Sequence, residues 1–134
     1  MSDSGPTPLE NPPFAGLKIL VVEDETIVSF LIEDMLEALG CAEVWHAGDV
    51  VGTLAILQDR RPDVAVLDVN LGHEPAYPIA ERLEEERIPF AFVTGYGRDG
   101  IPDRWAPRPV IQKPFTQEVL AAVLGSLLGR QAPS

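Results

Sequence analysis

Polar residues close four apolar runs in this chain. Glu23 and Asp24 follow Lys18-Ile19-Leu20-Val21-Val22, and Asp68 follows Val64-Ala65-Val66-Leu67. Thr94 follows Pro89-Phe90-Ala91-Phe92-Val93, and Lys113 follows Val110-Ile111-Gln112. If each run is a parallel strand, these residues meet, because the site of an open α/β sheet lies outside the carboxyl ends of its strands. Three acids, a hydroxyl and an ammonium gathered there are suited to hold a divalent cation and a phosphoryl group on an aspartate. A carboxylate attacks phosphorus only when it is held in line and the phosphoryl charge is neutralised. Mg²⁺ prefers octahedral oxygen ligation and keeps several waters, so few carboxylates suffice. On this reading Asp24 and Asp68 are direct ligands, with the backbone carbonyl of Asn70 as a third. Glu23 orients a metal-bound water. Lys113 pairs with one phosphoryl oxygen as a point charge, and Thr94 donates a hydrogen bond to another. Taken singly, each residue has an ordinary explanation as a turn former, helix cap or surface lysine. All four groups in this order, each at a strand end, make a motif with its structural context.

The elements that must position them alternate between strand and helix patterns. The first strand is predicted over 17–23, followed by a helix from Thr26 to Leu39 with Ile27, Phe30, Leu31, Met35 and Leu39 near helical spacing. Gly40 stops that helix. A second strand runs from Ala42 to Ala47. Asp49 can cap a helix reaching Gln58, with Val51, Leu54, Ala55 and Leu57 as its apolar surface. Strand three is 64–68. Pro78 suits the first position of the next helix, where a missing N–H costs nothing. Strand four is 90–94 and strand five 109–112. The last helix, Phe115 to Leu128, turns Val119, Leu120, Val123, Leu124 and Leu127 inward. Five strands with helical crossovers imply an α/β fold, a doubly wound parallel sheet in the flavodoxin-like order 2-1-3-4-5. Between Gly95 and Val110, glycine and proline argue for a loop with at most a short helical turn around Asp103 to Ala106.

The bulk numbers bound the class. A chain of 134 residues, 46% of them hydrophobic, suits one globular domain. Residues 1–15, with Pro6, Pro8, Pro12 and Pro13, read as a flexible tail; 16–129 form the domain and 130–134 a short C-terminal tail. Ten basic against 21 acidic residues, a net charge of -11, argue against direct nucleic-acid binding. Glu84-Glu85-Glu86 read as a solvated helix face. No apolar run reaches membrane-spanning length, so a cytoplasmic protein is expected. The lone Cys41 excludes an internal disulfide and reads as packing. His46 reads as a surface or edge residue and His73 as a solvated loop histidine; neither is assigned a metal role.

Four segments carry a resemblance over about residues 16 to 129. Leu20-Val21-Val22-Glu23-Asp24-Glu25, Val66-Leu67-Asp68-Val69-Asn70-Leu71-Gly72, Phe92-Val93-Thr94-Gly95-Tyr96 and Lys113-Pro114-Phe115 resemble a response-regulator receiver domain. The resemblance implies transfer of phosphate from a histidine kinase or phosphotransfer protein onto Asp68, using Mg²⁺. It also implies a signalling domain that assists its own phosphorylation and dephosphorylation, not a conventional enzyme. A cis bond is expected at Lys113-Pro114. The Phe92-to-Gly95 run is similar to single-domain receivers of alphaproteobacteria marked by a Phe-Ala-Thr-Gly motif, with Val93 in place of the alanine. Two departures stand out. Val110 occupies the position of the usual inward-turning aromatic, leaving Tyr96 and Trp105 as switch candidates. Gly72 replaces a common proline, which predicts a looser loop after Asp68. By resemblance, Asn70 and Tyr96 sit where phosphoryl lifetime is set.

A stand-alone, monomeric receiver follows, because the tails hold no output domain; it signals by docking to a downstream protein or by relaying phosphate. A haloacid-dehalogenase-like phosphohydrolase would need a second aspartate at Asn70. A flavodoxin-like cofactor binder would need a phosphate-cradling loop where Glu23-Asp24-Glu25 stands. A receiver that is never phosphorylated leaves the complete acceptor set without a role.

Overall fold

Five strands pair into one parallel sheet in the computed structural model, which describes residues 14–41, 43–95 and 101–129. The elements are β1 (Lys18–Val22), α1 (Thr26–Ala38), β2 (Glu43–Ala47), α2 (Val50–Asp59), β3 (Val64–Asp68), β4 (Asn70–Leu71), β5 (Glu74–Pro75), α3 (Tyr77–Glu85), β6 (Phe90–Thr94), β7 (Val110–Gln112) and α4 (Gln117–Leu128). A 3-10 turn at Asp103–Trp105 lies between β6 and β7. The sheet order is β2-β1-β3-β6-β7, all pairs parallel. This is the doubly wound order expected from the sequence, with the switch point between β1 and β3.

The central strands are buried on both faces, so they read as continuous apolar runs. Successive side chains still alternate between the faces. Ile19, Val21, Val64, Val66, Ala91 and Val93 pack under α1 and α4 with Ile32, Leu36, Leu120 and Leu124. Leu20, Val22, Ala65, Leu67, Phe90 and Phe92 pack on the other side with Leu57, Ile79, Leu83 and Trp105.

Side-chain caps start two of the helices, α2 and α4. The Asp49 carboxylate accepts from Gly52 N at 2.7 Å and caps α2, as expected. Thr116 caps α4 through Val119 N at 3.2 Å, so this helix starts after Phe115 and not at it. Pro78 takes the second position of α3 and not the first; both positions lie in the first turn, where the N–H has no intrahelical partner.

Several expectations need correction. Phe14, assigned to the tail, is fully buried against the α1–α4 side of the sheet. Ile27, Phe30 and Leu31 are 75%, 59% and 53% exposed, so α1 turns Ile32 and Leu36 inward instead. Val51 and Ala55 on α2 and Val119 on α4 also face solvent. Apolar residues outnumber the inward positions on these helices, so apolar type alone did not identify the buried stripe. The loop after Asp68 is not loose. Asn70 and Leu71 pair antiparallel with Pro75 and Glu74, and Gly72 closes the hairpin at φ 67. Glycine adopts that left-handed conformation without steric cost. The acidic run is not merely solvated: Glu84 accepts from Arg104 at 3.1 Å and from Arg108 at 2.9 Å, and Glu86 pairs with Arg82.

Candidate functional site

The strand ladders continue one residue beyond their ends and set the polar groups in place. Glu23 N donates to Ala47 O at 3.0 Å, Val69 N to Val93 O at 3.1 Å, and Lys113 N to Thr94 O at 2.9 Å. A cis Lys113-Pro114 peptide follows, as the resemblance implied. Lys113 Nζ then lies 3.0 Å from Asp68 Oδ2 and 2.9 Å from Glu23 Oε1. The other Asp68 oxygen accepts from Asn70 N at 3.1 Å. One carboxylate oxygen from each of Glu23, Asp24 and Asp68 lies within 4.8 Å of the others. An open cavity of about 430 Å³ over this cluster is lined by Asp24, Asp68, Asn70, Thr94 and Lys113, together with Glu25, Gly72 and Gly95.

Electrostatics shows what the cluster lacks. Three carboxylates face one ammonium, leaving excess negative charge. Glu23 is 5% exposed, and its Oε1 has no hydrogen bond of good geometry, only the ion pair with Lys113. Burial pushes the Glu23 carboxyl up to about 7; the Asp68 charge adds to this, while the bond to Lys113 opposes it. Burial works against the Lys113 ammonium, but Glu23 and Asp68 outweigh it and raise its pKa. The donor set therefore fits a hard divalent cation, which supplies the missing positive charge through oxygen ligands.

The sequence-predicted residues Glu23, Asp24, Asp68, Thr94 and Lys113 come together, and Asn70 lines the same cavity. Tyr96 lies outside the described residues. Trp105 is not at the cavity: it is buried against Phe90 and Phe92 and stacks on Tyr77 with ring centroids 6.3 Å apart. Sequence reasoning overlooked Glu25, which lines the cavity and lies 3.9 Å from Lys113 Nζ. Its place in the Glu23-Asp24-Glu25 run was the available signal. It also overlooked the approach of Gly72, where an added Cβ would stand 3.8 Å from Asp24 Oδ2.

The response regulator receiver domain model matches residues 19–124. The chain belongs to the response-regulator receiver family. Its members are phosphoacceptor signalling domains of two-component systems. The solution structure of SdrG from Sphingomonas melonis Fr1 is 44% identical, covering 84% of this chain and 97% of that one, with a TM-score of 0.76. The receiver domain of the sensor histidine kinase PA1611 from Pseudomonas aeruginosa PAO1 is 27% identical, covering 86% of this chain and 99% of that one, with a TM-score of 0.74. Its structure holds a magnesium ion in the active-site cleft. The probable transcriptional regulator ycf27 of Cyanophora paradoxa is 34% identical over 84% of this chain but only 48% of its own length. The receiver chain thus spans about half the length of the curated relatives it matches.

Among the described residues, no helix is long and apolar enough to cross a membrane.

Proposed function

We propose that this receiver accepts a phosphoryl group from a histidine kinase or phosphotransfer protein onto Asp68 and signals through a docked partner. The observation that carries this reading is Asp68 in the lining of the cavity, 3.0 Å from Lys113 and grouped with Glu23 and Asp24. An Asp68 oxygen attacks phosphorus; the bond from phosphorus to the donor histidine nitrogen breaks, and the phosphoryl group passes to the carboxylate. Asp24, Asp68 and the Asn70 carbonyl would hold Mg²⁺, with Glu23 orienting a bound water. Bound Mg²⁺ neutralises charge on the transferring group. Lys113 leaves its carboxylate partners for a phosphoryl oxygen, and Thr94 donates to another.

The exposed Ile27, Phe30 and Leu31 of α1 form the proposed landing surface for the donor. Leu31 also lines a small apolar cavity of about 160 Å³ with Met35, Pro114 and Phe115. A partner helix would bury this face in the manner of a helix in a groove. The Phe92-Val93-Thr94-Gly95 run supports placing the chain with the Phe-Ala-Thr-Gly receivers.

The test is incubation with Mg²⁺ and acetyl phosphate, with intact masses compared for wild type and Asp68→Asn. A phosphoryl adduct on the wild type alone is expected. Equal incorporation into both proteins would overturn the assignment of Asp68.

A further inference from the structure

His46 is singled out by the sequence and left without a role by the site chemistry. It stands on β2, the edge strand beside β1. Its ring joins two side chains one helical turn apart on α1. Nδ1 lies 2.5 Å from Ser29 Oγ, and Nε2 lies 3.1 Å from Glu33 Oε1. A carboxylate only accepts, so in the neutral ring the proton sits on Nε2, and Nδ1 accepts from the Ser29 hydroxyl. Ser29 is buried at 8% exposure, where an unpartnered hydroxyl would be costly.

The two elements that carry these side chains also hold the acidic loop through their backbones. Glu23 N donates to the carbonyl of Ala47, the neighbour of His46. Ser29 N donates to the carbonyl of Glu25. The segment Glu23-Asp24-Glu25 is therefore held at one end by β2 and at the other by α1. The Ser29–His46 bond ties these two supports to each other. Without it, the Ser29 hydroxyl has its own turn's Glu25 carbonyl to fall back on, a bond that bends helices. A cavity of about 350 Å³ is lined by Ser29, His46 and Gly48 together with Glu23 and Asp24, so the Ser29–His46 bond lies beside the acidic loop.

We propose that Ser29, His46 and Glu33 form a positioning relay that sets the seat of Glu23 and Asp24, and through it the affinity of the site for Mg²⁺. The relay touches neither the cation nor the phosphoryl group, and the inference rests on the cation-binding reading given above.

The test is an NMR-monitored Mg²⁺ titration of the full chain for wild type, Ser29→Ala, His46→Ala and the double variant. Each single variant is expected to lose about tenfold in Mg²⁺ affinity, at the lower end of what outer-shell changes cost at metal sites. The double variant should lose no more than the weaker single one, because either substitution already breaks the same link. The imidazole ¹⁵N spectrum of the wild type should show Nε2 protonated and Nδ1 bare, with the Nδ1 resonance moving in Ser29→Ala. Unchanged affinity in Ser29→Ala, or losses that add, would overturn the relay while leaving the cation site intact. A wild type indifferent to Mg²⁺ would overturn the site reading itself, and the relay with it.

Discussion

The two faces of the sheet solve the same covering problem with different materials. On one face α1 and α4 lay aliphatic side chains such as Ile32, Leu36, Leu120 and Leu124 over the strands. On the other, α2 and α3 are accompanied, among the described residues, by the 3-10 turn at Asp103–Trp105. A short turn brings few side chains, so volume comes from aromatic rings. Trp105 meets Phe92 edge-on at 5.9 Å and Phe90 at 6.1 Å, and Tyr77 stacks on it. Arg104 lies over the Trp105 ring at 4.1 Å and Arg108 over Phe90 at 4.5 Å, and both bind Glu84 of α3. The α1–α4 face is covered mostly by aliphatic side chains, with Phe14 among them, whereas the other face adds to its aliphatic residues four rings in mutual contact, of which the 3-10 turn supplies Trp105.

That contrast can be broken most directly by removing single side chains. Trp105→Ala should cost about 4 kcal/mol in urea unfolding, against about 3 kcal/mol for Leu124→Ala. A larger cost at Leu124 would count against Trp105 as the anchor of the ring cluster.

A second measurement addresses the strand ends, where both faces meet the site. The folded carboxyl of Glu23 titrates at about 7, above its ordinary value of 4.5. The folded state then binds more protons than the unfolded state between these values, so this group's contribution to stability falls as pH rises through the window. In metal-free protein, the difference in stability between wild type and Glu23→Gln should decline from about pH 4.5 to about pH 7. A difference that stays flat would refute the buried, charge-crowded setting of Glu23.

The clamp on the aromatic face should titrate the opposite way. Bonds to Arg108 and Arg104 hold the Glu84 carboxyl below the ordinary value. Its contribution is present above the unfolded carboxyl range and disappears as pH falls through the folded value. Glu84→Gln should therefore lower the denaturation midpoint slightly at neutral pH and not at all in strong acid. An effect that persists in acid would mean that the clamp works by packing and not by charge.

The smallest effect belongs to the outer side of the aliphatic face. Phe30→Ala and Leu31→Ala should change stability by no more than about 0.5 kcal/mol, as exposed positions do. The same variants should slow phosphoryl transfer from a histidine kinase while leaving labelling by acetyl phosphate unchanged. Equal loss with both donors would count against α1 as the landing surface.

Much of this was legible because parallel strands are short apolar runs with a polar residue at the carboxyl end. The sites of Asp68, Thr94 and Lys113 could be read from run length and order alone. The 3-10 turn was legible too, since Gly100, Pro102 and Pro107 leave no room for a long helix. Which apolar residues of α1 face inward was not legible. Ile27, Phe30 and Leu31 carry the same chemical type as Ile32 and Leu36, and only the sheet they pack against tells them apart.

By itself, then, the sequence determined the order of the five sheet strands and their helices, the topology of that sheet and the identity of the residues at the strand ends, because each is written in local periodicity and chain order. The tertiary structure alone decided the hairpin closed by Gly72, the pairing of Lys113 with Glu23 and Asp68, the burial of Phe14 and Trp105, and the bond between Ser29 and His46. Each of these joins groups far apart in the chain or depends on a backbone angle, and distance in space is a quantity that residue types and spacings do not carry.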